Sequence, residues 1–391
     1  MRITSTFIGL SLLLSLAGCQ PQAPKATTTA TPPVSTTPAP DEAPLEAPSP
    51  NFLPHVREGF VVQKWAEVPS ARSLAVSPDG KYVFVGSRAG WVHKVTVGTG
   101  APRVEMFLKN LEGSNGVCFA GGNLYVGERL KIVRYKASDE FQAEKGEVIL
   151  DGLPDETHHG WRYIKEGPDQ RIRMGIGAPC NVCLRDDPRF ATIVSFTREG
   201  KDFQIEAKGV RNSVGFDWHP ETGVFYFTDN GRDHLGDNKP PCELNRMTEE
   251  MQGSHFGFPY VWGDNQPDPE FGSKAPEGLD FVKPYTKFQA HVAPLGCYFP
   301  KRENLRKLFG DEVIVAQHGS WNRTVPIGYR VVTVDTAKPE ADPQPFLWGF
   351  QDESNKSRIY GRPVDIAELP DGTILVSDDH RGVVWSVRAK Q

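Results

Sequence analysis

Six times along the chain a Gly-containing or Pro-Asp turn leads into a short apolar β run, and this repetition restricts the fold more than any other feature. The copies span residues 78–85, 121–126, 168–174, 220–227, 310–315 and 370–376, with Pro78-Asp79-Gly80 and Pro370-Asp371-Gly372 the plainest of them. A tight turn between apolar strands marks a hairpin, and recurrence every roughly 40 to 90 residues assigns one sheet to each copy. Sheets of this kind set radially make a β-propeller, in which loops from every blade meet around one axis. The expectation is therefore an all-β, six-bladed propeller. Its spacing is uneven, so the later blades carry long inter-blade insertions, and function concentrates in such loops.

A propeller must join its first and last blades or leave two open sheet edges. The run Gly59-Phe60-Val61-Val62-Gln63-Lys64-Trp65-Ala66 precedes the first copy. It is expected to complete the last blade, beside residues 382–387.

The repeats occupy only part of the 391 residues. Residues 1–18 read as a secretory leader, with Arg2 before an apolar run too short to span a membrane as a mature helix. The ending Leu16-Ala17-Gly18-Cys19 resembles the bacterial lipobox, which implies lipidation at Cys19 and an extracytoplasmic, membrane-anchored protein. Gln20 after that Cys resembles the pattern of outer-membrane lipoproteins facing the periplasm. Residues 19–51 hold the lipidated Cys and a Pro/Thr-rich segment without aromatic residues, which cannot offset its ordering entropy and is expected to stay a disordered tether. The folded unit is then 52–391. A net charge of −5 and the lack of any basic run exclude a nucleic-acid partner as an expectation.

With Cys19 assigned to lipid, five Cys remain. An exported domain permits disulfides, and Cys180-Asn181-Val182-Cys183 is the expected local bridge, zinc being the alternative. The pairing of Cys118, Cys242 and Cys297 is left open, with one thiol expected to stay free.

Five loop segments are denser in polar residues than blades require: 153–162, 209–215, 228–237 (with Glu243-Leu244-Asn245 beyond), 317–323 and 357–363. They supply His side chains able to take a proton near neutral pH. They also supply several guanidiniums for a polyanion, and Gly-rich turns whose oxygens suit Ca²⁺.

The stretches His158-His159-Gly160-Trp161-Arg162, Gly209-Val210-Arg211-Asn212 and Asn230-Gly231-Arg232-Asp233-His234-Leu235-Gly236-Asp237 resemble the glucose/sorbosone dehydrogenases. These are soluble quinoprotein propellers that carry pyrroloquinoline quinone (PQQ). Gln317-His318-Gly319-Ser320-Trp321-Asn322-Arg323 and Gly361-Arg362-Pro363 are most similar to the sorbosone branch. The resemblance implies PQQ and Ca²⁺ as cofactors, a sugar-like substrate and an external electron acceptor, a quinone or cytochrome. It implies His159 as catalytic base and Arg211 facing quinone and substrate oxygen. Asn212, Arg323, Arg362 and His318 fall among the cofactor contacts, and the carbonyls of Gly231 and Arg232 at the calcium position. The chain departs from the glucose enzymes in three places. His158 stands where they carry a sugar-binding Asp, Tyr360 where they carry a second arginine, and His318 near a cofactor-gripping lysine. As adjacent residues of an extended segment, His158 and His159 are expected to point to opposite sides, His158 toward the substrate entrance. A non-catalytic propeller binding glycan or protein, and a propeller lactonase, are the competing readings.

Overall fold

In a computed structural model of the chain, residues 52–390 are described. The leader, Cys19 and the Pro/Thr segment lie outside the described residues. The described residues form six antiparallel blade sheets of four or five strands and one small two-stranded sheet. Blade I is Leu74–Val76, Tyr82–Val85, Val92–Thr96 and Arg103–Leu108; blade II is Gly116–Ala120, Asn123–Gly127, Ile132–Tyr135 and Glu147–Leu150. Blade III is Ile164–Glu166, Ile172–Ile176, Thr192–Phe196 and Gln204–Lys208; blade IV is Phe216–Trp218, Phe225–Asp229, Cys242–Met247 and Thr286–Phe288. Blade V is Pro294–Tyr298, Glu312–Gln317, Arg330–Asp335 and Gln344–Trp348. Blade VI is Pro363–Glu368, Ile374–Asp378 and Val383–Ala389, closed by Phe60–Glu67 from the start of the domain. That closing pair runs from Phe60 opposite Ala389 to Glu67 opposite Val383, so the N-terminal strand completes the last blade as expected.

All six repeated turns join the first strand of a blade to its second, and they share one end of the ring. The turn of blade V is the exception in form, because a short helix, Glu303–Phe309, precedes Gly310. Neither this helix nor His55–Val56, which pairs with Leu347 and Trp348 as a fifth strand of blade V, was expected from the sequence. Blade IV carries the longest insertion, residues 248–285 between its third and fourth strands, including the hairpin Val261–Trp262 with Gln266–Pro267.

Six apolar clusters hold the ring, each filling the junction of two neighbouring blades. Strands alternate their faces, and here both faces are packed. Val83 and Val85 of blade I join the cluster against blade VI, while Phe84 between them joins the cluster against blade II. Leu124 and Val126 face blade I, and Tyr125 faces blade III. Second strands such as Phe225–Asp229 are buried at every position. Each sheet is sandwiched between two others, so its strands read as near-continuous apolar runs rather than a clean alternation.

Candidate active site

Because the repeated turns occupy one end, the connections from second to third strand, and from one blade to the next, open at the other. That topology gathers every candidate residue on one face. His158 and His159 lie on the crossing from blade II to III, Arg211 and Asn212 on III to IV, and Arg362 on V to VI. Gly231 and Arg232 lie in the second loop of blade IV, His318 and Arg323 in that of blade V, and Cys180 and Cys183 in that of blade III.

His159 sits in a tight turn with φ of 51°, not in an extended segment. The expectation that the two histidines point to opposite sides is overturned. The positive φ folds the chain back, and their rings meet edge to face with centroids 4.0 Å apart. His158 is exposed and His159 half-buried. The Nδ1 of His159 lies 2.8 Å from the Ala178 carbonyl, which only accepts, so Nδ1 carries the proton and Nε2 keeps its lone pair. Burial, then the Arg211 guanidinium and His158, hold the imidazole well below its ordinary pKa, and His158 is lowered by burial and Arg211 as well.

The same Ala178 peptide also donates its N–H to the Arg211 carbonyl at 2.8 Å, tying the two residues together. Between them Gly177 leaves room that any side chain would fill, since a Cβ there would lie 2.5 Å from the His159 Cβ and 3.2 Å from Asn212 Oδ1. Arg211 and Asn212 are held from below by Asp229, the last residue of its strand, whose carboxylate accepts their backbone N–H groups at 2.8 and 2.7 Å. Burial pushes Asp229 up to about 6 against these donors. Asp378 ends the equivalent strand of blade VI and accepts the Arg362 N–H at 2.9 Å in the same way.

The Arg211 guanidinium is buried and held on three sides. Nε donates to the Asn181 carbonyl at 2.8 Å, Nη1 to the Asn230 carbonyl at 3.1 Å, and Nη2 to Asn181 Oδ1 at 3.0 Å and Asp233 Oδ2 at 3.4 Å. One Nη1 hydrogen is left over. Burial lowers the Arg211 pKa, with Asp233 and Asp229 opposing. The expected Cys180–Cys183 disulfide is present and encloses Asn181. Cys118, Cys242 and Cys297 are all free and buried, on strands of three different blades, so the expectation of one free thiol is corrected to three.

The carbonyls of Gly231 and Arg232 accept no hydrogen bond among the described residues. The Arg232 side chain turns the other way, pairing with Asp268 at 2.9 Å and Glu270 at 2.6 Å, and pins the blade IV insertion to this loop. No group of three or more His, Cys, Asp or Glu is arranged for a metal among the described residues. A partly open pocket of about 30 Å³ lies against this loop, lined among others by Arg211, Asp229, Gly231, Arg232, Glu243 and Trp262.

A second cluster lies on the blade V and VI side. His318 Nε2 is 2.8 Å from Asp379 Oδ1, and Arg72 pairs with the other oxygen of that carboxylate. Arg362 donates to the His318 and Gly319 carbonyls at 3.2 and 3.1 Å. Burial and Arg362 push His318 down to about 3; His318 and Arg72 hold Asp379 low although burial opposes them. The Asp378 carboxylate and the Arg381 guanidinium stand beside them, and three guanidiniums against two carboxylates leave this cluster net positive. Arg323 donates to the Asp237 carbonyl and to Asn238 Oδ1 at 3.2 Å, joining the loops of blades IV and V, while its Nε is buried without a partner among the described residues.

Asn181, Asp229, Asp233, Asp378 and Asp379 escaped assignment from sequence. A signal existed for two of them: Phe227-Thr228-Asp229 and Val376-Ser377-Asp378 repeat a hydroxyl-Asp ending at the same place in two blades.

A profile of the family described as TrAA12-like matches residues 184–390. An uncharacterized protein of Borreliella burgdorferi is 35% identical over 349 residues, covering 85% of this chain and 90% of that protein. Among solved structures, the calcium structure of the Trichoderma reesei carbohydrate-active enzyme of family AA12 superposes with a TM-score of 0.72 at 18% identity, over 89% of this chain and 99% of that one. The holo form of the pyranose dehydrogenase PQQ domain from Coprinopsis cinerea gives 0.70 at 18%, over 88% and 98%.

Proposed function

The chain belongs to the TrAA12-like family, and from that premise we propose that it is an exported oxidoreductase, dependent on PQQ and Ca²⁺, acting on a sugar or sugar-derived hydroxyl or aldehyde. The observation that carries the reading is the pairing of His159 and Arg211 through the Ala178 peptide. It sets a neutral imidazole with a free Nε2 beside a buried guanidinium with one uncommitted hydrogen. His159 Nε2 takes the substrate hydroxyl proton, and its depressed pKa keeps it in the accepting form at neutral pH. Arg211 stabilises the negative charge that grows on the substrate oxygen, a task suited to a donor that is fixed before reaction. His158, exposed at the rim, contacts the substrate.

The donor set fits the cofactor. The net-positive cluster of Arg72, Arg362 and Arg381 with Asp378 and Asp379 suits a polycarboxylate, and Arg362, Asn212, His318 and Arg323 would hold it. The carbonyls of Gly231 and Arg232, hard oxygens without a hydrogen-bond partner among the described residues, would hold Ca²⁺. PQQ supplies, when bound, the quinone that accepts two electrons, while the protein orients and polarises. The names of the structural neighbours support this: one is a PQQ domain of a pyranose dehydrogenase, another a calcium structure of a carbohydrate-active enzyme. An external quinone or cytochrome takes the electrons onward. The lipobox at Cys19 supports an extracytoplasmic protein held to a membrane by lipid, facing the periplasm from the outer membrane.

The test is reconstitution. Apo-protein with PQQ and Ca²⁺ is expected to develop a quinone absorbance and to reduce a dye in the presence of at least one member of an aldose and aldonolactone panel. Chelation is expected to abolish turnover, and added Ca²⁺ to restore it. A protein that takes up no PQQ and reduces no dye is a binding propeller instead, and lactone hydrolysis without PQQ would favour the lactonase.

A further inference from the structure

We propose that Asn181, presented by the loop that the Cys180–Cys183 disulfide closes, is the residue that positions the Arg211 guanidinium; the proposal rests on the reading of Arg211 as the group that faces the reacting oxygen. Asn181 makes contact at both its backbone and its side chain. Its carbonyl accepts Arg211 Nε at 2.8 Å and its Oδ1 accepts Arg211 Nη2 at 3.0 Å, a two-point grip on one edge of the guanidinium plane. The same Oδ1 accepts the Asp233 N–H at 2.7 Å, and its Nδ2 donates to the Asp233 carbonyl at 3.2 Å. Asp233 in turn pairs with Arg211 at 3.4 Å and with His291 at 3.8 Å, and His291 reaches the Gly236 carbonyl at 2.9 Å.

Arg211 is thus aimed by two loops, from blades III and IV, that touch each other through one amide. A guanidinium this deeply buried has no water to compensate a lost acceptor, so its orientation follows the acceptors it is given. An eclipsed or wandering loop would carry the acceptors with it. The disulfide, with a sequence separation of 3, closes so small a ring that it adds little to global stability. Its effect is local. It restricts residues 181 and 182 and so fixes both Asn181 oxygens. The amide suits the place better than a carboxylate would, because Asp233 and Asp229 already set carboxylates beside Arg211 and because Nδ2 must donate to the Asp233 carbonyl.

The experiment compares wild type, Asn181→Ala, Asn181→Asp and the double variant Cys180→Ser/Cys183→Ser as full chains. Four quantities are measured: thermal midpoint, PQQ affinity, kcat and KM separately, and, in apo-protein, water exchange of the Arg211 Nε–H by nitrogen-15 NMR, assigned with Arg211→Lys. Asn181→Ala is expected to lower kcat about tenfold with a smaller change in KM, since the donor is displaced rather than removed. The serine double variant is expected to do the same and to speed Arg211 Nε–H exchange about tenfold, with the thermal midpoint and PQQ affinity close to wild type. Asn181→Asp, which keeps the acceptor for Arg211 but loses the Nδ2 donor to the Asp233 carbonyl, is expected to recover part of the loss and to lie between wild type and Asn181→Ala. Asn181→Ala and the serine variant matching wild type within twofold in both kcat and exchange would overturn the proposal, as would an equal fall in PQQ affinity and midpoint, the sign of a merely structural loop. Should wild type itself neither bind PQQ nor oxidise a sugar, the functional reading falls, and the exchange rate alone still decides what Asn181 does to Arg211.

Discussion

Gly177→Ala perturbs the proposed base without touching its chemistry. Gly177 follows the strand Ile172–Ile176 and its φ lies outside the left-handed region, so alanine adds no backbone strain there. The whole effect is the added methyl. Its carbon would lie 2.5 Å from the His159 Cβ, 3.0 Å from the His159 carbonyl oxygen and 3.2 Å from Asn212 Oδ1. Carbon atoms settle at about 3.5 to 4.0 Å, so relief requires His159 to retreat by roughly 1 Å. A misplacement of that size costs on the order of 100-fold in turnover, and the strain left in the packing costs about 1–3 kcal/mol of stability. The assay is dye-coupled kcat/KM of the PQQ- and Ca²⁺-loaded enzyme, with PQQ affinity and thermal midpoint measured on the same samples. Gly98→Ala serves as the control, an exposed site where a Cβ meets nothing nearer than the Gly100 nitrogen at 4.0 Å. A Gly177→Ala enzyme within about threefold of wild type would refute the placement of His159 as the group that must stand where it does.

The remaining predictions concern the base, a buried carboxyl and the leader. His159→Ala is expected to keep PQQ binding and lose turnover by a factor of about 10² or more, while His158→Ala mainly changes which sugar is preferred; the reverse pattern across an aldose panel would exchange their roles. Because the folded His159 pKa lies well below 6.5, kcat/KM is expected to hold steady as pH falls past 6.5 and to drop only at lower pH, when Nε2 becomes protonated; a break at or above 6.5 contradicts this. Glu243, pushed from 4.5 up to about 8 by burial and by Asp229, favours folding fully below pH 4.5 and loses that contribution as pH rises through 8. The melting difference between Glu243→Gln and wild type is therefore expected to move in favour of the variant from pH 5 to 8.5, and a pH-independent difference would count against it. Cys19→Ala is expected to release the protein from membrane fractions or to stall the precursor, and unchanged fractionation would remove the lipid anchor from the picture.

How much of this was legible in the sequence depended on how local the signal was. The closing strand, at the far end of the domain from its partner, was legible only because a ring must leave no open edge, whereas the six turns and the Cys180–Cys183 bridge each lie within a few residues of chain, where backbone conformation obeys local rules. The five polar loops could be assigned to one end of an axis for the same reason, since the parity of antiparallel strands decides which connections share a face. Tertiary structure alone decided the rest. The blade strands bury both faces because a second sheet covers the face that solvent would otherwise take, as Phe84 and its neighbours Val83 and Val85 demonstrate. The two histidines came to share one side because the fold imposes a positive φ at a residue other than glycine. Asn181 meets Arg211 across 30 residues of chain, and Arg72 meets Asp379 across 307. Closing the ring brings such partners together, and burial then requires each charge to find its acceptors among whatever loops arrive, which no short stretch of sequence encodes.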